Sequence, residues 1–134
     1  MKYEHFLAKV EQRASIPSQQ AEECVRLTLE ALADRLTAGE ALDLAAQLPK
    51  PMQAALRSRT ESSQRFGAEE FIRRVAACTG ADERRAKQIV RSVFGTLREA
   101  VSSGEFDDIM AQLPRDFRGL VDLARTPVDV TRLR

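Results

Sequence analysis

The sequence predicts an all-α fold built by internal duplication, and three observations carry that prediction. Displacing the chain by 65 positions lays residues 4–56 over 69–121 without a gap, and 14 of those 53 pairs are identical. Apolar residues recur at i, i+3, i+4 and i+7 in the longest segment of each half. No segment alternates apolar and polar residues as a strand would, and no Asn-Gly or Asp-Gly hairpin dipeptide occurs. The expected organisation is pseudo-twofold, with two four-helix repeats packed into one bundle. Residues 1–66 form the first repeat, with a connector at 57–66. Residues 67–134 form the second, with a short tail from Thr126-Pro127.

The first helix of each repeat is expected at 3–14 and 68–79. Tyr3, Phe6, Leu7 and Val10 share one face of the former; Phe71, Ile72 and Val75 share one face of the latter. The second helix is the longest. It opens near Pro17, whose fixed φ suits a first turn, and carries Ala21, Cys24, Val25, Thr28, Leu29, Leu32 and Leu36 on one stripe. Its twin opens at Asp82 as an N-cap and carries Ala86, Ile89, Val90, Val93, Phe94, Leu97 and Val101.

Thr37 with Glu40, and Ser102 with Glu105, fit the capping box, in which the glutamate reaches back to the N–H of the cap residue. They start a short third helix at 40–48 and 105–113. Leu42, Leu44, Ala45 and Leu48 line one copy; Phe106, Ile109, Met110 and Leu113 line the other. Pro49 and Pro114 stop it. A fourth helix is expected at 51–58 and 116–124. The two halves are expected to meet through their second and fourth helices.

Composition narrows the function. Hydrophobic residues make up 43% and charged residues 31%, as in globular chains, and the net charge is only +1. Neither half is strongly basic, so no electrostatic footprint for nucleic acid is present. No run approaches membrane-spanning length, and the charged N-terminus lacks the apolar centre of a signal peptide. A cytoplasmic protein is expected, with Cys24 a buried free thiol.

The segments Gly39-Glu40-Ala41-Leu42-Asp43-Leu44-Ala45-Ala46-Gln47-Leu48-Pro49 and Gly104-Glu105-Phe106-Asp107-Asp108-Ile109-Met110-Ala111-Gln112-Leu113-Pro114 each follow a Phe-x-x-x-Val helix. In these the chain resembles the bacterial family catalogued as domain of unknown function 2267, over roughly 3–124. The resemblance implies a small duplicated helical protein and no assigned activity.

Recognisable catalytic chemistry is missing from the sequence. His5 is the one histidine, and no nucleophile elbow, phosphate loop, dinucleotide fingerprint or Cys-x-x-Cys occurs. Adjacent acids such as Asp107-Asp108 point about 100° apart on a helix and cannot share a substrate atom. Helix-borne carboxylate metal sites usually include Glu-x-x-His, which this chain lacks. No catalytic residue, cofactor or metal is therefore expected. The expectation is a non-enzymatic module that binds another protein or itself.

The alternative is nucleic-acid or phosphate binding through an arginine-rich surface: Arg57, Arg59 and Arg65 in the connector, and Arg84, Arg85, Lys87 and Arg91 on the sixth helix. The short third helices are acidic and would repel phosphate if used for recognition. An enzyme built on scattered carboxylates is the third class. Finally, both halves share an arginine on the long helix and an aspartate on the short one. The pairs Arg26–Asp43 and Arg91–Asp108 are the expected structural salt bridges.

Overall fold

In the computed structural model, residues 1–57, 64–80 and 82–122 are described; Arg59 and the expected tail lie outside them. Among the described residues the chain is all-helical: α1 (Tyr3–Ala14), α2 (Ser18–Arg35), α3 (Ala38–Ala46), α4 (Lys50–Arg57), α5 (Ala68–Ala76), α6 (Glu83–Ala100), α7 (Ser103–Gln112), a 3-10 turn at Arg115–Phe117, and α8 (Arg118–Asp122). The helices α1, α2, α3 and α4 start at residues 3, 18, 38 and 50. The elements α5, α6, α7 and the 3-10 turn start 65 residues later, at 68, 83, 103 and 115.

Local chemistry explains these boundaries. Pro17 stands just before α2 with extended backbone, and the Asp82 carboxylate accepts from the Arg85 N–H at the start of α6. The residue closing α1 is Ser15, and the turn after α5 ends at Gly80. Both have positive φ, at 56° and 68°, the left-handed conformation that ends helices. The fifth helix stops at Ala76, shorter than expected, because the chain tightens into turns in which the Cys78 N–H donates to the Val75 carbonyl, three residues back, at 2.9 Å. A side chain at Gly67 would displace the Asp116 cap. A Cβ there would lie 2.7 Å from Asp116 Oδ2, the atom that accepts the Ala68 N–H at 3.0 Å and caps α5.

The stripes on α2 and α6 are buried as the periodicity required, and one apolar core joins both halves. Phe71 sits at its aromatic centre, edge-on to Phe94 at 5.7 Å and to Phe117 at 5.1 Å. Leu42 departs from expectation: it is 54% exposed. The apolar face of α3 runs through Ala41, Leu44 and Ala45, and Leu42 points away from it.

The seam between halves also differs from expectation. The second helices do meet, α2 against α6, but as a minor contact, and the fourth helices are not part of the main ones. The halves meet most extensively where α1 lies on α6 and α5 lies on α2, with α3 against α7; α4 covers α2 and α3 within the first half. The reason is the burial of the first helices. Phe6, Val10 and Phe71 have no exposed surface, so α1 and α5 must sit between the two long helices rather than outside them.

Polar pairs tie this seam. Arg74 on α5 meets Asp34 on α2 at 3.2 Å, and Lys9 on α1 meets Glu99 on α6 at 3.0 Å. Residues 9 and 74, and 34 and 99, are each 65 apart. Arg74 also covers the Phe66 ring at 3.9 Å, and Arg35 donates to the Phe66 carbonyl, fixing the chain as it enters α5. Cys24 of α2 is joined to Cys78 beyond α5 by a disulfide, with Cα atoms 5.0 Å apart. The expected free thiol is therefore corrected: α2 and α5 are neighbours, which brings two cysteines at non-equivalent repeat positions together. No helix among the described residues is long and apolar enough to cross a membrane.

Candidate functional site

Three places merit attention: two surface grooves and the α3–α7 seam. The first groove, about 470 Å³, lies between α1, α2 and α4, with Val25, Leu29 and Met52 among its apolar walls and Gln19, Glu22 and Glu23 along its polar edge. The second, about 510 Å³, lies between α5, α6 and α8, with Ile72 and Leu120 in its walls and Arg84, Lys87 and Asp116 beside them. Six positions of the first recur 65 residues on in the second: Tyr3/Ala68, Gln19/Arg84, Glu22/Lys87, Pro51/Asp116, Ala54/Gly119 and Ala55/Leu120. The two grooves share these positions but not the rest of their lining, and the charge at their edges differs.

The arginine-rich surface is not one patch. Arg57, Arg65, Arg84 and Lys87 are exposed. Arg85 is half-buried and donates to the Ser15 carbonyl at 3.0 Å and to Gln88 at 2.9 Å, so it closes the end of α1 rather than facing solvent. Arg91 is half-buried, its Nε has no hydrogen-bond partner among the described residues, and burial lowers its pKa. Arg84 and Lys87 share their groove with Glu69, Glu83 and Asp116.

The expected Arg26–Asp43 and Arg91–Asp108 bridges are absent among the described residues. Arg26 is exposed and pairs within its own helix, with Glu23 at i−3 and with Glu30 at i+4, at 2.5 and 2.7 Å. These glutamates hold the guanidinium's pKa above its ordinary value. Local partners one turn away reach the guanidinium without any tertiary contact, which leaves none over for Asp43.

Asp43 has different company. The hydroxyls of Thr37 and Ser102 accept the Glu40 and Glu105 N–H groups at 3.2 and 3.1 Å, as a capping box requires. The returning arm is not the glutamate. The Thr37 N–H donates to Gln112 Oε1 at 3.1 Å, and the Ser102 N–H donates to Gln47 Oε1 at 2.7 Å. Each glutamine also donates to the hydroxyl of the cap it serves, Gln112 to Thr37 and Gln47 to Ser102. Each half thus caps the short helix of the other.

The displaced glutamates turn into the seam. Carboxylate oxygens of Glu40, Asp43 and Glu105 all lie within 4.8 Å of one another. Glu105 is only 8% exposed. Oε2 of Glu40 and Oε2 of Glu105 are buried and accept no hydrogen bond among the described residues. Burial first, then the Glu40 carboxyl and the charges of Asp43 and Asp108, push the Glu105 pKa up to about 8. Sequence reasoning missed this cluster. Its signal was present: Glu-x-x-Asp, one turn apart on one helix face, occurs in both halves as Glu40/Asp43 and Glu105/Asp108.

Over residues 3–120 the chain matches the family described as uncharacterized conserved protein (DUF2267), and it belongs to that family. No curated protein matches it. Membership agrees with the resemblance read from the two Gly-Glu to Leu-Pro segments and brings no activity with it.

Proposed function

We propose that this protein is a non-enzymatic helical module that binds another protein or a second copy of itself, through two grooves on a bundle made of two related four-helix units. The observation that supports this best is the pair of grooves at positions 65 residues apart, each with apolar walls and a charged edge. Grooves of this make suit the apolar face of an amphipathic helix. Different edge charge, Glu22 in one and Lys87 in the other, would let the two units select different partners. The reciprocal glutamine caps and the paired Arg74–Asp34 and Lys9–Glu99 contacts favour an approximate twofold relation of the units. Cytoplasmic location belongs to the same reading, against the disulfide, which is commoner in oxidising compartments.

Phosphate binding has less support, since Arg85 is engaged and Arg84 and Lys87 stand among acids. The test uses the full chain and two groove-filling variants, Ala54→Trp and Gly119→Trp, at exposed positions. A partner captured from native lysate, or a concentration-dependent dimer in sedimentation, should survive nuclease and moderate salt and be lost in one variant. Recovered nucleic acid that salt removes would favour the phosphate reading. A monomer whose captures neither variant changes would overturn the groove reading.

A further inference from the structure

Two carboxylates that face each other across a buried seam cannot satisfy one another, because both are acceptors. Only a proton shared between them or a cation can do so. We propose that Glu40, Asp43 and Glu105 form a binding site for a hard divalent cation at the α3–α7 seam.

Three observations carry this. First, the donor geometry fits one ion. Cation–oxygen distances of about 2.3–2.6 Å, as for calcium, place oxygens on opposite sides of one ion up to about 5 Å apart, and the three carboxylates lie within 4.8 Å. Second, Glu105 is more than nine-tenths buried, is directed at the other two carboxylates, and accepts no hydrogen bond at Oε2. A carboxyl in that state either keeps its proton or, once ionised, needs a counter-charge to meet it. Third, the fold makes the glutamates available. Gln112 and Gln47 occupy the N–H groups that a capping-box glutamate would take, so both glutamates are released into the seam at the point where the two halves meet.

The donor set is all oxygen, which selects calcium, magnesium or manganese over thiolate- or imidazole-seeking metals. Asp43 is exposed and leaves one side of the ion open to water. The site shares no residue with either groove, so it stands or falls independently of the interaction role. A bound ion would cross-link α3 of the first half to α7 of the second.

The experiment is isothermal titration and thermal melting of the full chain, stripped with chelator and held at mildly alkaline pH, with Ca²⁺, Mg²⁺ and Mn²⁺ each as probe. At least one of these should give a single saturable site and raise the melting temperature by several degrees. Glu105→Gln and Asp43→Asn should weaken that binding by at least ~10-fold. The Asp43→Asn change is at an exposed position and should keep the fold, so it reads binding apart from folding. Asp107→Asn removes an exposed charge from the same helix outside the cluster and should leave the affinity unchanged. The proposal is overturned if none of the three ions binds the wild-type chain. It is equally overturned if Asp107→Asn weakens binding as much as Glu105→Gln, which would mean diffuse screening of acidic charge.

Discussion

Arg74 reaches across the seam to Asp34 at 3.2 Å, and Asp34's side chain is 4% exposed where Arg74's is 32% exposed. The aspartate is the buried partner and the arginine is the one that brings charge to it. The second seam contact of this kind, Lys9 with Glu99, is 37% and 43% exposed. The two pairs occupy positions 65 residues apart and differ in burial, in residue type and in further partners, Arg74 also meeting Glu70 and Glu99 also meeting Arg13.

That difference predicts unequal costs. Arg74→Ala should destabilise the protein by about 2 kcal/mol, because a buried carboxylate loses a counter-charge and Phe66 loses its cover. Lys9→Ala should cost less than about 1 kcal/mol, as exposed pairs do. Urea unfolding of both variants measures the contrast, and equal midpoints would refute it.

The glutamine caps predict a matched pair of effects. Gln47→Ala and Gln112→Ala each remove a tertiary cap from the opposite half's short helix, and each should cost about 1–2 kcal/mol. A double-mutant cycle of Gln47→Ala with Ser102→Ala should show coupling, whereas Gln47→Ala with Thr37→Ala should add simply. Additivity in the first cycle would mean that the contact between the Gln47 amide and the Ser102 hydroxyl contributes nothing.

The disulfide predicts redox-dependent stability. Cys24 and Cys78 are 54 residues apart, and closing a loop of that length restricts the unfolded chain by about 4 kcal/mol in the chain-entropy account. Reduction, or Cys24→Ala with Cys78→Ala, should lower the melting temperature by many degrees without loss of helical signal at low temperature. An unchanged melting curve under reductant would show that the bond adds nothing.

Glu105 predicts a pH slope in chelator-treated protein. Its carboxyl is raised from 4.5 in the ordinary case to about 8 in the fold. A raised acid binds a proton more tightly when folded, so its contribution is complete below pH 4.5 and is lost as pH rises through about 8. Stability should therefore fall from mildly acidic to mildly alkaline pH as Glu105 ionises beside Glu40, Asp43 and Asp108. Glu105→Gln cannot ionise and should flatten the slope. Identical slopes for the two proteins would exclude this carboxyl as the cause.

Much of the fold was legible. The stripes on α2 and α6 dictated both long helices, Asp82, Thr37 and Ser102 marked helix starts, and Pro49 and Pro114 followed helix ends. The seam was not legible, because amphipathicity says that Phe6 and Phe71 must be buried but not against which neighbour. The Arg26 error was avoidable: Glu23 and Glu30 stand at i−3 and i+4 and outcompete any distant acid. The carboxylate cluster was hidden for a subtler reason. The capping-box rule gives Glu40 and Glu105 a local partner, and only the tertiary arrival of Gln112 and Gln47 displaces them. Likewise the disulfide follows from α2 lying on α5, which no spacing of Cys24 and Cys78 encodes.

The placement of α1 on α6 and α5 on α2 has a consequence for how this polypeptide could be divided. Each half buries its first helix partly against the other half's longest one, so neither half expressed alone could close its core. Two separately made fragments, 1–57 and 64–134, should then behave as complementary pieces that restore the fold on mixing, the chain and the Cys24–Cys78 bond both serving to raise their local concentration. Mutual completion of the halves would then be maintained by the chain rather than by abundance in the cell.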